Sequence, residues 1–263
     1  MKKIVGLLLI ASVTLVSCKK DDVQTTGPGD IMLHFDNVAG TADLALNTDT
    51  YSNALGQNYT ISKFDYYISN IKLKKADGTE YMVPQAKSYF LVKESDAASQ
   101  EIELSDVPAG DYSELVFTLG VDSLRCTADI SQRTGVLDPA TGGLGMYWAW
   151  NSGYIFMKME GTSPVSTAAA NKIQYHIGGF GGMTAPTINN IKTISLPFPT
   201  GVTAKVAAGK APEVHMLVDA KKVLNGSVNV NIATKSTIMF DAASVDVANN
   251  YKNMFSVDHV HND

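Results

Sequence analysis

Cysteine is scarce in this chain, whose 263 residues include only Cys18 and Cys126. Small secreted domains that cannot build a core are usually stabilised by several disulfides, and that class is excluded here. The fold must therefore depend on hydrophobic burial, for which a hydrophobic content of 45% is ample. Cys126 is expected to be a small, partly buried residue, and a metal-ligand or reactive role is the less favoured alternative.

Basic residues are outnumbered, with 21 Lys and Arg against 26 Asp and Glu and a net charge of −5. Proteins that bind nucleic acid neutralise phosphates with clustered Lys and Arg, so we expect no nucleic-acid partner. Hydrolase motifs are also missing, among them Gly-x-Ser-x-Gly and His-Glu-x-x-His. We therefore expect no catalytic residues and a protein that is not an enzyme.

The apolar segment near the N-terminus is too short to cross a membrane as a helix. It runs from residue 4 to 16, behind Lys2 and Lys3, whereas a spanning helix needs about 20 apolar residues. This arrangement is typical of a secretory signal. The run ends in Leu-Val-Ser-Cys, which matches a bacterial lipobox. Residues 1–17 are thus expected to be a lipoprotein signal peptide, and Cys18 the lipidated residue that anchors the chain in the membrane.

Residues 18–30 are rich in Thr, Gly and Pro and are expected to form a flexible tether behind the lipidated Cys18. Because residues 1–17 carry two Lys and no acid, their removal changes the net charge from −5 to −7. Lys and Asp directly behind Cys18 resemble a surface-export signal, and a generic linker is an equal alternative. The expected location is the outer membrane, on its periplasmic face or at the cell surface.

Residues 31–263 read as one domain, since no second linker and no repeat divides them. Short alternating apolar runs with frequent turn signals predict a mostly all-β fold, an antiparallel β-sandwich with short helical segments. Asp77-Gly78 predicts a hairpin with a type I′ turn. Residues 227–232 are among the predicted strands, and the expected helical segments are 219–224 and 242–255.

Both tryptophans, Trp148 and Trp150, lie close to Tyr147 and Tyr154. In an extended segment their side chains would point to the same side. A packed aromatic core strand explains this density, and composition alone favours it. A redox-active or ligand-contacting aromatic site is the alternative.

The chain has five histidines, and two of them near the C-terminus are the sharpest candidates for metal binding. His259 and His261 would lie on one face of a strand, about 7 Å apart, which suits chelation of copper or zinc. A frayed polar C-terminus is the competing interpretation. His176 precedes a glycine-rich stretch and is compatible with a tight loop after a strand. His34 and His215 each alternate with apolar neighbours, and taken alone both are interpreted as structural or solvent-facing.

The order of several segments resembles the MbnP-like family of copper-binding envelope proteins. The most specific of them is the Trp-x-Trp-x-x-Gly-Tyr block that begins at Trp148. The others are the segments at residues 35–40, 51–57, 66–71, 108–112, 120–123, 137–139 and 175–178.

The resemblance implies a β-rich sandwich for residues 31–263 and a copper site with histidine ligands. It implies metal-binding roles for His176, which matches the His-x-Gly segment of the family, and for His259, His261 and His34. It also implies a partner, a di-haem peroxidase of the MauG/MbnH type, which oxidises a tryptophan near the copper site to kynurenine.

The modified residue would be Trp148 or Trp150. The expected function is therefore that of a copper-binding lipoprotein for copper uptake or handling. A surface binding or adhesion module without metal, whose aromatic side chains stack on a ligand, is the alternative.

Overall fold

Alternation of buried and exposed side chains organises the chain into strands that form two sheets. The structure is a computed structural model that describes residues 27–148, 150 and 153–262. The expected signal peptide, Cys18 and most of the tether lie outside the described residues. Within them, the strands are β1 (Gly29–Ala39), β2 (Ala42–Asp43), β3 (Tyr51–Ser52), β4 (Asn58–Lys75), β5 (Glu80–Met82), β6 (Tyr89–Lys93), β7 (Glu101–Val107), β8 (Gly110–Leu119), β9 (Tyr147–Trp148), β10 (Gly153–Thr162), β11 (Lys172–Gly178), β12 (Lys192–Pro197), β13 (Ala204–Val206), β14 (Glu213–Asp219), β15 (Thr237–Ile238) and β16 (Phe255–His261).

The helical content is small, as the sequence predicts. The described α-helices are α1 (Ser123–Cys126) and α2 (Ala242–Tyr251). Short 3-10 turns lie at Gln85–Lys87, Ala97–Gln100, Ile130–Gln132, Gly135–Leu137, Ala169–Asn171 and Ala220–Val223. None of the helices in the described part of the chain is long and apolar enough to cross a membrane.

The strands form a small sheet and a large sheet. In the small sheet the order is β16-β14-β1, and β2 and β7 pair with the other edge of β1. The large sheet has the order β12-β8-β4-β10-β11-β15, with β13 on β8, with β3, β5 and β6 on β4, and with β9 on β10. The mostly-β sandwich fold is confirmed. Two of its pairs, β1 with β14 and β11 with β15, are parallel rather than antiparallel.

The core lies between the two sheets and is centred on aromatic rings. Phe35 of the small sheet packs edge-on against Tyr66 and Phe117 of the large sheet, with ring centroids 6.4 and 6.0 Å apart. Phe255 of β16 reaches the same two rings at 5.7 and 5.0 Å. These contacts fix which side of each small-sheet strand faces inward, because side chains alternate along a strand.

A second hydrophobic cluster covers the opposite, outer side of the large sheet. It is built from the segment that follows β8, and Trp148, Tyr154 and the fully buried Cys126 belong to it. Two phenols tie this segment to the sheet: Tyr67 donates to the Val136 carbonyl at 2.7 Å and Tyr154 to the Leu137 carbonyl at 2.6 Å.

The strand expected at residues 227–232 does not form. Val230 and Ile232 are buried, so the apolar pattern reflects core packing. The backbone of the segment bonds instead to a side chain, because the Asn250 amide donates to the Val228 carbonyl at 2.6 Å and accepts from the Val228 N–H at 3.3 Å. A buried carboxamide has thus replaced a neighbouring strand as hydrogen-bond partner.

Two further predictions from the sequence differ in detail from the structure. The helix expected over residues 242–255 begins after the cap Asp241, whose side chain accepts from the Ser244 N–H, and ends at Tyr251, so that Phe255 starts a strand. The hairpin at Asp77-Gly78 is present between β4 and β5. Within that dipeptide only Gly78 has a positive φ, of 84°, so the turn is not of type I′, which needs positive φ at both central residues.

A polar chain leads from the core to the rim of the sandwich. The buried Tyr66 hydroxyl donates to Asn37 Oδ1 at 2.9 Å, and Asn37 Nδ2 donates to Glu94 Oε2 at 3.0 Å. The pKa of Glu94 is raised to about 7, chiefly by partial burial and also by the nearby Asp43 and Asp36, against the opposing effect of the hydrogen bond from Asn37. Glu94 therefore holds a proton in the folded protein at a pH where the unfolded chain has lost it.

The contribution of Glu94 to the stability of the wild-type protein falls as the pH rises from about 4.5 to about 7. Over that window the folded state binds more protons than the unfolded state, so the free energy of unfolding decreases with pH. Glu94→Gln retains an acceptor for Asn37 and is neutral at every pH. We expect the free energy of unfolding of the variant, relative to that of wild type, to be higher at pH 8 than at pH 5, as measured by urea denaturation at each pH. The same difference between the two proteins at both pH values would contradict the raised pKa of Glu94.

Candidate metal centre

Two adjacent rows of side chains cross the outer face of the small sheet. On β1, Leu33 and Phe35 point into the core, so His34 between them points outward. On β14, Val214 and Met216 place His215 outward in the same way. The strand register then aligns the outward residues. Read from β7 to β16, one row is Glu101, His34, His215 and His259, and the next is Glu103, Met32, Glu213 and His261.

Four imidazoles therefore meet on three neighbouring strands, and His34, His215, His259 and His261 are called the histidine cluster below. The His215 ring stacks between two others, with its centroid 4.4 Å from that of His34 and 4.5 Å from that of His259. His261 lies edge-on to His259 at 4.6 Å. The cluster is continuous from β1 to β16.

Each stacked imidazole has a carboxylate partner. His34 Nδ1 lies 2.6 Å from Glu101, His215 Nε2 lies 2.7 Å from Glu213, and His259 Nδ1 lies 2.7 Å from Asp258. Asp258 can take this place because β16 has a bulge opposite His215 and Met216. A carboxylate beside one ring nitrogen holds the proton there and leaves the lone pair of the other nitrogen for a metal.

The geometry suits a borderline transition-metal ion. One ligand atom each from His34, His215 and Glu213 lie within 4.8 Å of one another. The side chains are partly open to solvent, with exposed fractions of 24% for His34, 27% for His215 and 43% for His259. Imidazole binds copper and zinc well, and a carboxylate partner raises its basicity. An ion can enter from solvent and find preoriented nitrogen donors.

Removing the charge of Glu101 is expected to weaken metal binding without removing a ligand. Glu101→Gln removes the carboxylate that orients the His34 ring, and loss of such an outer partner typically costs about 10–100-fold in affinity. The measurement is a competition titration against a chelator of known affinity. Glu103→Gln is the matched control, since Glu103 lies on the same face of β7 and pairs with Met32 rather than with a histidine. An equal loss in both variants would point to bulk charge instead.

His176 does not join the histidine cluster. It lies on β11 of the large sheet, buried, with Nε2 2.7 Å from Glu160 Oε1. Burial lowers its pKa, and the nearby Lys158 lowers it further. The resemblance predicted His176 as a metal ligand together with His34, His259 and His261. In the structure the fourth histidine beside those three is His215, which the sequence analysis interpreted as structural.

The two tryptophans differ sharply in exposure. Trp148 is 6% exposed and packs on Phe240, with ring centroids 6.2 Å apart, whereas Trp150 is 66% exposed. Their own centroids are 5.4 Å apart. Together with Phe180, Met183 and other residues they line a cleft of about 220 Å³. Each interpretation of the pair therefore applies to one ring: Trp148 is part of a packed core, whereas Trp150 lies at the surface, where it can contact a ligand.

The tryptophans and the histidine cluster lie on opposite outer faces of the sandwich. Trp148 belongs to the cluster of side chains beyond the large sheet, on the side that Tyr67 faces. The neighbouring Tyr66 faces the core and, beyond it, the small sheet. Packed sheets are about 10 Å apart, so the whole core separates the two sites. Of the histidines that the resemblance implied as ligands, His34, His259 and His261 lie on the face away from the tryptophans. His176 lies on the tryptophan side of the large sheet, two residues before Gly178, which the Trp148 ring contacts closely.

Cys126 has no part in either site. It is fully buried, its thiol donates to the Val121 carbonyl at 3.4 Å, and burial raises its pKa to about 12. A thiol in that state is a poor nucleophile and a poor metal ligand.

Comparison with known proteins agrees with this fold. The MbnP family matches residues 28–240, a range that contains His34 and His215 and ends before His259 and His261. The solved structure of MbnP from Methylosinus trichosporium is similar at a TM-score of 0.52 and 14% identity, over 89% of this chain and 98% of that one. No curated protein matches the chain. On the extent of the family match, this chain belongs to the MbnP family.

Proposed function

We propose that this chain is a copper-binding protein that takes up or handles copper in the cell envelope, with the histidine cluster as its metal centre. The observation that carries the proposal is the convergence of four imidazoles, three of them with a carboxylate at 2.6–2.7 Å. Imidazole sites accept both copper and zinc. The resemblance to copper-binding envelope proteins favours copper.

The charge around the cluster supports a cationic ligand. Glu101, Glu103, Glu213 and Asp258 lie in or beside the two rows. Asp36 is on the same strand face as His34, two residues along, and interacts with both His34 and His215. With neutral imidazoles these carboxylates give the face a negative potential, which raises the local cation concentration.

Competition titration of the purified full chain tests the proposal. We expect copper to bind more tightly than micromolar, because several oriented nitrogen donors act together. The fold of the metal-free and loaded protein is compared by circular dichroism in the same samples. Binding weaker than micromolar in correctly folded protein would refute a role in copper handling.

We further infer that the protein binds copper and does not catalyse a reaction. A metal enzyme needs an open coordination position and a general base beside the reacting group. The carboxylates of the cluster are instead engaged with imidazole nitrogens, where they orient ligands.

We propose that a di-haem peroxidase of the MauG/MbnH type oxidises one tryptophan of the pair to kynurenine. The exposed Trp150 offers a contact for a protein partner, and its ring lies 5.4 Å from that of the buried Trp148. An electron from either indole can therefore leave the protein at the surface, directly from Trp150 or from Trp148 by way of Trp150. The step would break the indole C2–C3 bond and add one oxygen atom from water to each carbon, and the four electrons removed would reduce two molecules of hydrogen peroxide to water at the haems of the partner. Hydrolysis would then release C2 as formate and leave kynurenine.

Peptide mass mapping of protein from the native host tests this step. Kynurenine has one oxygen more and one carbon fewer than tryptophan, so the modified peptide gains about four mass units. Trp148 and Trp150 unmodified in the native host would refute the maturation. Because the core lies between the tryptophans and the histidine cluster, we expect equal copper affinity before and after oxidation, measured on the two forms by the same titration.

The lipid anchor at Cys18 is proposed to hold the protein in the outer membrane, facing the periplasm or the cell exterior. The lipobox supports the anchor. Cys18→Ala should move the protein from the membrane fraction to the soluble fraction. Protease treatment of intact cells distinguishes the two orientations.

The cleft beside Trp150 supports a second candidate, a surface binding module without metal. Its aromatic lining, with Phe180 and Phe240 beside the two tryptophans, suits stacking on a sugar ring or an apolar side chain. Trp150→Ala would abolish such binding and leave copper affinity unchanged, which a glycan array and a titration measure independently.

A further inference from the structure

A series of tyrosines lies directly beside the tryptophans and would compete with them for an oxidant. Tyr147 precedes Trp148 on β9, and its ring contacts that of Tyr154, with centroids 5.3 Å apart. Tyr154 in turn contacts Tyr67 at 5.6 Å. Phenol and indole rings lose an electron at similar potentials, and neighbouring rings exchange electrons readily. An oxidant that reaches the tryptophans can therefore also draw an electron from Tyr147.

The two inner tyrosines of this series are kept reduced by their hydrogen bonds. A phenol that loses an electron must also release its proton, and the acceptor of that proton must be a base. The hydroxyls of Tyr67 and Tyr154 donate to the carbonyls of Val136 and Leu137, which are not bases. Both side chains are fully buried, and burial raises the pKa of both phenols above its ordinary value. Oxidation of either ring is thus disfavoured.

Tyr147 is protected in another way, by a guanidinium. The Cζ of Arg133 lies 5.2 Å from the centre of the Tyr147 ring, and a guanidinium nitrogen donates to the Tyr147 hydroxyl at 2.8 Å. Other hydrogen bonds of Arg133 go to the carbonyls of Cys126 and Ala128 at 3.0–3.2 Å and fix its position. The attraction between a cation and a ring face depends on the electrons of the ring, so it opposes the loss of one. Because arginine is always protonated, it cannot accept the phenol proton either.

We propose that Arg133 determines which ring a one-electron oxidant attacks, keeping Tyr147 reduced so that the electron is taken from Trp148 or Trp150. The inference rests on the proposed oxidation of this pair, and it names the residue that makes the step specific. In that step an electron passes from an indole to an oxidised haem of the partner, and the indole N1 proton passes to water. Within the described residues, none of the cation–ring contacts involves a tryptophan. The protection is therefore confined to the competing ring.

Photochemical oxidation of the purified full chain tests this role without the partner. Illuminated tris(bipyridine)ruthenium(II), with a cobalt(III) ammine complex as electron acceptor, yields a ruthenium(III) oxidant that takes one electron at a time from accessible rings. Peptide mass mapping with fragmentation then quantifies the products at Tyr147, Trp148 and Trp150. In Arg133→Gln, which keeps hydrogen-bond donors and loses the charge, the ratio of Tyr147 products to tryptophan products should rise at least about threefold, as expected for loss of a cation–π attraction. Arg133→Lys, which keeps the charge, should restore most of the wild-type ratio.

Two further variants separate this role from a purely structural one. Tyr147→Phe alone should leave the yield of tryptophan products as in wild type, because Arg133 already excludes Tyr147 from oxidation. In the double variant of Arg133→Gln and Tyr147→Phe, that yield should return to the wild-type value. Circular dichroism verifies that each variant is folded. An unchanged ratio in Arg133→Gln, a loss of tryptophan products that persists in the double variant, or a rise of these products in Tyr147→Phe would overturn the inference.

Failure of the inference is distinguishable from failure of the proposed maturation. Unmodified tryptophans in the native host would refute the reaction with the partner, whereas the photochemical ratio depends on the rings and on Arg133. A raised ratio in Arg133→Gln would support the role of Arg133 even in that case. Kynurenine in the native protein, combined with an unchanged ratio in Arg133→Gln, would support the maturation and overturn the role of Arg133.

Discussion

Replacing His215 with alanine is expected to lower the overall copper affinity of the full chain by more than about 100-fold, the upper end of what loss of a mere outer-sphere partner costs. His215 is the centre of the cluster, in ring contact with His34, His259 and His261. Its loss removes one nitrogen donor and separates the β1 side of the cluster from the β16 side. A competition titration with a copper chelator measures the effect.

His176→Ala is the control for this result. It removes an imidazole that is more deeply buried than His215 and that pairs with Glu160 on the large sheet. The variant therefore shows the effect of losing a histidine that lies outside the histidine cluster. We expect its copper affinity to equal that of wild type. An equal loss of affinity in both variants would contradict a centre at the histidine cluster, and a loss in His176→Ala alone would move the centre to the large sheet.

Phe255→Ala is expected to lower the free energy of unfolding by about 3–5 kcal/mol, as truncation of a buried Phe generally does. The Phe255 ring contacts Phe35, Tyr66 and Phe117, and so joins β16 to both sheets. Urea denaturation measures the change. Phe255→Leu, which keeps most of the buried volume, should cost clearly less.

This substitution also links stability to the proposed metal binding at the histidine cluster. β16 carries His259 and His261, and its pairing with β14 places them beside His215. When Phe255 no longer fixes the strand, copper affinity should fall as well, and added copper should restore part of the lost stability by mass action. A Phe255→Ala variant with less than about 1 kcal/mol of destabilisation would show that β16 is held by other contacts.

The strands were the most predictable part of the fold. Alternation of side chains predicted β1 and β14, because one face of each is buried. It does not hold along the whole of β16, since the bulge between Val257 and His259 turns the two histidines to the face opposite Phe255. The same periodicity predicted a strand at residues 227–232 that does not form. Val230 and Ile232 are buried there, but the backbone of the segment forms hydrogen bonds with the side chain of Asn250 instead of with a strand. Because Asn250 is distant in sequence, the local sequence pattern does not indicate this contact.

The histidine cluster could also be predicted only in part, because it too depends on contacts between residues that are distant in sequence. Spacing placed His259 and His261 on one face of a strand, and alternation placed His34 outward. His215 was missed because its importance comes from the parallel pairing of β1 with β14, strands about 180 residues apart in sequence. The local sequence does contain a signal, since His34 and His215 each lie between two buried apolar residues. Only the register of the strands shows that they are neighbours.

His176 illustrates the limit of that signal. It too lies between buried residues, Tyr175 and Ile177, and points away from the core. Its strand belongs to the other sheet, so it faces the opposite side of the sandwich. Periodicity tells which side of a strand a residue is on, and it does not tell which sheet the strand joins.

Anomalous diffraction at the copper absorption edge, on crystals of the copper-loaded protein, tests the central claim most directly. If the histidine cluster is the metal centre, anomalous density will lie on the outer face of the small sheet, against His34, His215, His259 and His261. Density beside Trp148 and Trp150 or at His176, with none at the cluster, would contradict it.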